Sequence, residues 1–278
     1  MEPRPTPLVT VEWLAEHLAD PAVVIADCRW YLAPFDGRDP DIEYRRGHIP
    51  GAVQMRWDRH YHDPDHPLDG MLAPPDRFAA AMGSVGIGDE SFVVAYDDNH
   101  VTVAARLWWA LRVYGHMAVA VLDGGIDAWR DAGHRLSTDR PEPARRVFTP
   151  RPRNGLYAAK QDVLAALDDA AVQLVDGRMK QAYDRDGASI PGSVRLPGIE
   201  FVGVDGCWLD AEAVAARIDD GGGRDGEHVL AYCSGGVGAC GTAFAYALAG
   251  RDDVAVYDGS WLEWGADPDT PKVPNKRR

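Results

Sequence analysis

Short apolar runs of strand length alternate with stretches of helical periodicity along most of the chain. Runs rich in β-branched residues, such as residues 23–27 and 229–232, are separated by amphipathic or alanine-rich stretches such as residues 210–218 and 239–248. Strands buried on both faces of a sheet read as continuous apolar runs, and their alternation with helices is typical of parallel sheets. The pattern therefore predicts an α/β fold, with mainly parallel sheets flanked by helices.

The second half of the chain repeats the motifs of the first half in the same order. A strand-like run that ends in Asp27 recurs as a run that ends in Asp176, and the Ile-Pro-Gly of residues 49–51 recurs at residues 190–192. Two further pairs of matching segments follow. Such a conserved order indicates duplication of one domain.

A proline-rich segment separates the two repeats. Residues 138–156 combine prolines and charges without hydrophobic periodicity, and such chains act as extended, semi-rigid spacers. A length of 278 residues also suits two domains better than one. We predict a first domain over residues 8–137, a linker over residues 138–156 and a second domain over residues 157–266.

Charge and composition argue against several partners. The formal net charge of −14 repels phosphate backbones and anionic lipids, and 46% hydrophobic residues suit a soluble globular protein. No apolar run approaches the roughly 18 residues that a membrane span requires. The polar start of the chain has no secretory apolar segment, and the four cysteines suit reduced thiols. We expect a cytoplasmic protein without nucleic-acid or membrane partners.

Cys233 begins the segment with the strongest chemical content. It follows a strand-like run and precedes an alanine-rich helical run, so it lies at the carboxyl end of a strand, where ligands bind in open α/β sheets. Glycines let successive N–H groups turn toward one point, and the helix start adds positive dipole. We expect an anion-binding loop that keeps Cys233 a thiolate near neutral pH. The loop residues are Ser234, Gly235, Gly236, Val237 and Gly238.

The matching stretch of the first half has neither the cysteine nor the glycines. It reads Tyr96-Asp97-Asp98-Asn99-His100-Val101, so Asp97 stands where Cys233 stands in the second half. An isolated cysteine after a strand is more often a small buried hydrophobe. Retention of the cysteine and glycines in one half only favours one active and one inactive domain.

Together these motifs resemble the two-domain rhodanese and mercaptopyruvate sulfurtransferase family. Tyr44 followed by residues 48–52 is similar to the family's amino-terminal signature, and residues 254–264 are similar to its carboxyl-terminal one. The resemblance implies two tandem rhodanese-like domains with a catalytic cysteine only in the second. It also implies that sulfur moves from a small donor, 3-mercaptopyruvate or thiosulfate, through a Cys233 persulfide to cyanide or a thiol, without metal or organic cofactor.

Two departures from the family pattern affect the choice of donor. Mercaptopyruvate enzymes typically read Cys-Gly-Ser-Gly-Val-Thr and thiosulfate enzymes Cys-Arg-Lys-Gly-Val-Thr, whereas this loop matches neither and ends in Gly238. The absence of loop cations argues against strong thiosulfate preference. The family's substrate-anchoring arginine falls at Ala182, before Tyr183. Lys180 or Arg185 would then have to supply the charge, although surface cations are more often merely solvated.

Asp39 and His48 match positions that are proposed to relay a proton with a loop serine in mercaptopyruvate-type enzymes. A histidine titrates near neutral pH and suits such a relay. The loop serine is displaced here to Ser234. A purely structural hydrogen bond of His48 is the competing interpretation.

Two other functions compete with sulfur transfer. A sulfur carrier or regulatory module would hold sulfur on Cys233 for a partner protein with little turnover. A cysteine phosphatase would need an arginine six residues after the cysteine, and Ala239 stands there. No histidine and cysteine spacing resembles a zinc site, so no metal is expected.

Overall fold

The structure is a computed structural model that describes residues 7–31, 36–98, 102–223, 226 and 228–276. Within these residues the elements follow one another along the chain in two similar series. They are β1 (Leu8–Val9), α1 (Val11–His17), β2 (Val23–Asp27), α2 (Pro40–Arg46), β3 (Val53–Gln54), α3 (Trp57–His60), α4 (Pro75–Ser84), β4 (Phe92–Tyr96), α5 (Ala104–Val113), β5 (Val119–Leu122), α6 (Gly125–Asp131), β6 (Tyr157–Ala158), α7 (Lys160–Ala166), β7 (Val172–Asp176), α8 (Lys180–Asp186), β8 (Ala188–Ser189), β9 (Val194–Arg195), a 3-10 helix (Gly198–Phe201), α9 (Ala211–Asp220), β10 (His228–Tyr232), α10 (Val237–Leu248), β11 (Ala255–Tyr257), α11 (Ser260–Ala266) and β12 (Val273–Pro274).

The chain divides into two compact units, which do not follow the repeat boundary everywhere. The first unit comprises Met1–Asp63, Leu72–Arg153 and Val202–Trp208, and the second comprises Pro64–Met71, Asn154–Phe201 and Leu209–Arg278. Each half of the chain therefore contributes a short segment to the unit built mainly from the other half.

Each unit contains one five-stranded parallel sheet within the described residues. The strand order is β1-β5-β4-β2-β3 in the first unit and β6-β11-β10-β7-β9 in the second, so each strand of one sheet has its counterpart in the other. β12 adds a separate antiparallel pair with β8. The α/β fold with parallel sheets and flanking helices is thus confirmed, and the duplication extends to topology.

The two cores are built alike. Apolar side chains from both the central strands and the covering helices fill each core. Trp129 of α6 and Trp264 of α11 are among the largest fully buried side chains, and each indole N–H donates to a backbone carbonyl further along the chain. Their matched positions confirm a role in the core, since a buried indole needs a hydrogen-bond acceptor.

A buried ion pair is duplicated beneath the carboxyl end of each sheet. In the first unit, Arg29 pairs with Asp27 at 2.6 Å, and the Tyr96 hydroxyl donates to the same carboxylate at 2.6 Å. Such charges are tolerated in a protein interior only when they are paired and hydrogen-bonded. The second unit repeats the arrangement with Asp176, Arg178 and Tyr232.

The proline-rich segment packs on the first unit. Residues 138–153 contain no regular secondary structure, but Phe148 is buried against Phe78, with ring centroids 5.5 Å apart. The Arg151 N–H donates to the Tyr114 carbonyl at 2.8 Å. This arrangement differs from the spacer that the sequence predicts, because the prolines keep the segment extended while its aromatic ring and backbone groups bind the unit beneath it.

Candidate active site

Cys233 lies directly after β10, at the carboxyl end of the central strand of the second sheet. Its exposed fraction is 5%. The chain bends sharply after it, with Gly236 at a φ of 82°, and α10 begins at Val237. A φ in this left-handed region favours glycine, which has no Cβ to clash. The position agrees with the sequence prediction for a ligand-binding loop between a strand and a helix.

Four backbone N–H groups lie around the sulfur of Cys233. Those of Gly235, Gly238 and Ala239 face it, whereas that of Gly236 donates to the Ser260 hydroxyl. A Cβ on Gly238 would lie 3.6 Å from Sγ, in ordinary contact, so the glycine keeps this wall of the loop open. Consecutive amides that point inward form a concavity for an anion. The structure therefore places three of the predicted loop residues, Gly235, Gly236 and Gly238, beside the sulfur, together with Ala239, which the sequence does not predict.

Burial and the loop amides act in opposite directions on the ionisation of Cys233. Burial raises the pKa of the thiol above its ordinary value, while the four amides act in the opposite direction. The sequence indicates the hydrogen-bond donors but not the depth of burial, and desolvation disfavours the thiolate. The thiolate near neutral pH therefore stays a prediction. A persulfide spreads its charge over two sulfurs and ionises more readily, so the amides suit it better.

Ser260 anchors the loop from beneath. Its hydroxyl oxygen accepts the N–H groups of Cys233 and Gly236, each at 3.0 Å, and donates to the Tyr257 carbonyl at 2.8 Å. Ser260 is fully buried and has a positive φ of 50°. The sequence motifs do not mark Ser260 as a functional residue. The sequence signal that could identify Ser260 is its place in the repeat, because the matching residue of the first half is Gly125.

The first turn of α11 binds the carbonyl groups of the loop. The Trp261 N–H donates to the Cys233 carbonyl at 3.0 Å, and the Leu262 N–H donates to the Ser234 carbonyl at 2.9 Å. The first N–H groups of a helix have no partner inside the helix. They fix the carbonyls away from the sulfur, which leaves the loop amides to face it.

Asp97 occupies the corresponding place in the first unit. It follows β4, is buried, and its Oδ2 accepts the Ala104 N–H at the start of α5 at 2.7 Å. A carboxylate thus accepts an amide at the start of the helix that follows β4, whereas the second unit has a cysteine after the matching strand. The neighbouring residues Asn99, His100 and Val101 lie outside the described residues.

Asp39 and His48 lie at opposite ends of α2. Asp39 caps the helix and accepts the N–H groups of Asp41 and Ile42. The ring of His48 is buried, stacks on Tyr44 at 4.1 Å, and its Nδ1 lies 2.9 Å from the Tyr44 carbonyl oxygen. Among the described residues no hydrogen bond joins His48 to Asp39, and Nε2 of His48 has no partner.

Lys180 and Arg185 both lie on α8 but have different surroundings. Lys180 pairs with Asp184 at 2.7 Å, whereas Arg185 pairs with Asp186 at 2.9 Å. Lys180 lines a cavity of about 410 Å³, and Arg185 does not. The lining residues are Lys180, Tyr183, Asp184, Ser193, Val194, Arg195 and Lys276.

Arg178 connects α8 to the loop of Cys233. Besides Asp176 it pairs with Asp186 at 3.1 Å, and its guanidinium lies 4.4 Å from the centroid of the Trp261 ring. Burial acts to lower its pKa, but the hydrogen bonds and charge of Asp176 raise the pKa overall. The side chain of Arg178 is fully buried, so its role beneath the site is structural.

Within the part of the chain that the structure describes, no group of three His, Cys, Asp or Glu side chains is arranged to hold a metal ion. None of the described helices has the length and apolar character needed to cross a membrane.

Comparisons with known proteins agree with this geometry. The family model of the rhodanese-like domain matches residues 10–132 and 159–267. Thiosulfate sulfurtransferase of Cricetulus griseus is 35% identical over 275 residues, which cover 92% of this chain and 91% of that protein. The 3-mercaptopyruvate sulfurtransferase of Homo sapiens is 34% identical over 272 residues, which cover 92% of this chain and 91% of that protein.

A solved structure shows the same fold over nearly its whole length. It is the crystal structure of SseA from Escherichia coli, described as a 3-mercaptopyruvate sulfotransferase with the rhodanese fold. It has a TM-score of 0.84 and 30% identity, and the match covers 92% of this chain and 99% of that chain. The chain belongs to the rhodanese family of two-domain sulfurtransferases, and the family and enzyme class that the sequence motifs predict are both confirmed.

Proposed function

We propose that this sulfurtransferase takes a sulfur atom from 3-mercaptopyruvate or thiosulfate as a persulfide on Cys233 and passes it to cyanide or a thiol. The observation that carries the proposal is the set of loop amides around Sγ at the end of β10. The first unit, with Asp97 in the matching place, has no cysteine there. No metal or organic cofactor takes part in the proposed reaction.

The first half-reaction loads the sulfur. Cys233 loses its proton to solvent, and its thiolate attacks the sulfur atom that the donor transfers. With thiosulfate, the S–S bond breaks and sulfite leaves with the electron pair. With 3-mercaptopyruvate, the C–S bond breaks and the donor's thiol proton ends on carbon, which gives pyruvate. In both cases the new S–S bond leaves a persulfide anion on Cys233.

The second half-reaction unloads the sulfur. Cyanide or a thiolate attacks the outer sulfur of the persulfide, and the electrons of the S–S bond return to Cys233 as a thiolate. The same amides face the anion before and after the transfer. Because Ser260 and the first turn of α11 bind the backbone of the loop, the loop needs little reorganisation during the reaction.

The choice of donor is open between the two compounds. Relatives named thiosulfate sulfurtransferase and 3-mercaptopyruvate sulfurtransferase are 35% and 34% identical, so similarity favours neither. Residues 234–238 contain no cation, which argues against a strong preference for the dianion thiosulfate.

Sulfur transfer to cyanide from each donor tests the proposal. We expect Cys233→Ala to lose turnover with both donors, because no other group receives the sulfur. Cys207→Ala is the matched control, since Cys207 lies in the first unit and should leave turnover unchanged. Turnover of Cys233→Ala equal to that of the unmodified protein would overturn the proposal.

A sulfur carrier is the second candidate. Cys233 is deeply buried and the pKa of its thiol is raised, both of which slow exchange with small molecules. A carrier would acquire the mass of one sulfur atom on Cys233 but would not turn over with cyanide or small thiols. Mass spectrometry and steady-state assays on the same sample separate the two functions.

The remaining sequence predictions are kept as proposals. We propose that the domains span residues 8–137 and 157–266, that the protein acts in the cytoplasm, and that it binds no nucleic acid. A relative from Arabidopsis thaliana is named as mitochondrial, so cell fractionation is the direct test of the compartment.

The relay of Asp39 and His48 with Ser234 predicts that His48→Gln alters the pH profile of turnover with 3-mercaptopyruvate but not with thiosulfate.

A further inference from the structure

We propose that Glu263 is a positioning residue for sulfur transfer, because its carboxylate fixes the turn that carries Ser260. Glu263 lies one helical turn along α11, and it acts through residues 257–260, which connect β11 to α11. The inference rests on the proposed sulfur transfer by Cys233 and adds one residue to the group that holds its loop.

The side chain of Glu263 folds back over this turn. Its Oε2 accepts the hydroxyl of Tyr257 at 2.8 Å. The same oxygen lies at the place where a Cβ of Gly259 would stand, so a larger residue there would displace the carboxylate. The Glu263 N–H donates to the Gly259 carbonyl at 3.0 Å. Glu263 therefore contacts the turn at Tyr257, where it starts, and at Gly259, directly before Ser260.

Tyr257 passes this constraint to the loop of Cys233. Its carbonyl accepts the Ser260 hydroxyl at 2.8 Å, and the Ser260 oxygen accepts the Cys233 N–H at 3.0 Å. The Tyr257 side chain is fully buried, and burial, together with the hydrogen bond and charge of Glu263, raises the pKa of its phenol. The phenol therefore stays protonated and donates to the carboxylate. Only two hydrogen bonds separate the backbone of Tyr257 from that of the reactive cysteine.

Lys160 faces the other oxygen of Glu263. Its ammonium lies 3.6 Å from Oε1 of Glu263 and 2.8 Å from Oδ2 of Asp267. The three side chains are 24%, 30% and 26% exposed, so solvent screens these ion pairs in part. The hydrogen bond from the buried Tyr257 is therefore the stronger constraint on the carboxylate.

The first unit has the same turn without these polar groups. Its β5 and α6 correspond to β11 and α11, and Ala128 packs over Gly124 as Glu263 packs over Gly259. At the positions that match Lys160, Tyr257, Glu263 and Asp267, the first unit has Val11, Leu122, Ala128 and Ala132. The turn thus forms without the polar network in the unit whose central strand ends at Asp97. The network occurs in the unit whose central strand ends at Cys233, which points to a role in holding the sulfur loop.

Two buried tyrosines of the second unit provide a matched test. Tyr257 and Tyr246 are both fully buried, and each hydroxyl donates one hydrogen bond, but Tyr246 donates to the Gly223 carbonyl after α9. Tyr257→Phe should lower kcat for sulfur transfer to cyanide about fivefold, with KM for either donor within about twofold. Tyr246→Phe should lower the melting temperature to a similar extent and leave kcat unchanged, because its hydrogen bond does not hold the turn.

Two substitutions of Glu263 separate its hydrogen bond from its charge. Glu263→Ala removes both and copies Ala128, which the same turn accommodates in the first unit. Glu263→Gln keeps an oxygen that accepts the Tyr257 hydroxyl and loses the charge that faces Lys160. We expect Glu263→Ala to lower kcat about fivefold and Glu263→Gln to stay within about twofold of the unmodified protein. If Tyr257→Phe does not fold, these two variants decide the question.

Several results would overturn the inference and leave sulfur transfer intact. They are an unchanged kcat in Tyr257→Phe or Glu263→Ala, equal losses of kcat in both tyrosine variants, and a Glu263→Gln variant as slow as Glu263→Ala. Each would mean that the hydrogen bond between Tyr257 and Glu263 does not position the loop. Absence of turnover in the unmodified protein with either donor would instead contradict the proposed function.

Discussion

Ser260 keeps a backbone conformation that a glycine adopts in the first unit. Its φ is 50°, and Gly125 at the matching turn has a φ of 56°. The left-handed region costs an ordinary residue roughly 1–2 kcal/mol. A serine is placed there because its hydroxyl accepts the N–H groups of Cys233 and Gly236, which no glycine can do.

Ser260→Gly is therefore expected to separate stability from activity. The substitution removes three hydrogen bonds, each worth about 1 kcal/mol, and relief of the backbone conformation offsets only part of that loss. The free energy of unfolding should therefore fall by only about 1–2 kcal/mol. Turnover should fall about tenfold or more, because the loop amides lose their anchor. Denaturant unfolding and steady-state kinetics on one sample measure both quantities, and unchanged turnover would contradict the positioning role.

The raised pKa of Cys233 makes a prediction about pH. Because burial favours the neutral thiol, the thiolate fraction at neutral pH is smaller than for a free cysteine, and it grows as pH rises. The rate of alkylation of Cys233 by iodoacetamide should keep increasing beyond about pH 8.5, the usual pKa of a cysteine. The Cys233→Ala variant supplies the background rate. A rate that levels off below neutral pH would show instead that the amides outweigh burial.

At the residue scale, the sequence predicts Cys233 and its glycines because the repeat isolates them. It cannot predict the state of the thiol, since burial depends on how α10 and α11 cover the loop. Ser260 cannot be predicted for a similar reason, because its hydroxyl accepts hydrogen bonds from residues about 25 positions away in the chain.

At the element scale, the longer strands are predicted well and the shortest ones are not. The apolar runs at residues 23–27 and 229–232 correspond to β2 and β10. β1 and β9 have two residues each, too few to show any period. They become strands because a neighbouring strand offers hydrogen bonds. The cavity beside β9 therefore cannot be predicted from hydrophobic periodicity.

The proline-rich segment also gains its place from tertiary contacts, and a substitution tests how firmly it is held. Phe148→Ala should lower the free energy of unfolding of the first unit by about 3 kcal/mol, because the ring is buried against Phe78. Val147→Ala is the matched control, since Val147 is 77% exposed and should cost less than about 0.5 kcal/mol. Equal effects of both substitutions in denaturant unfolding would mean that the segment is not bound.

At the scale of the whole molecule, duplication produced two units that have the same order of strands but different loops after the central strand. The paired charges of Asp27 and Arg29 are retained in the second unit by Asp176 and Arg178. What differs is the loop after the central strand, where the first unit has Asp97 and no glycines. The fold is thus common to both units, and the chemistry depends on the loop.

This division predicts that a cysteine alone does not make the first unit active. Asp97→Cys in a Cys233→Ala background should give no turnover and no added sulfur by mass spectrometry, because the first half lacks the glycines that let successive amides face one sulfur. The same background without the Asp97 change is the control. Sulfur uptake by the double variant would mean that strand position, rather than the glycine loop, creates the site. The double variant should lack sulfur uptake and still show a normal unfolding transition, because the small thiol fits where the carboxylate of Asp97 stands.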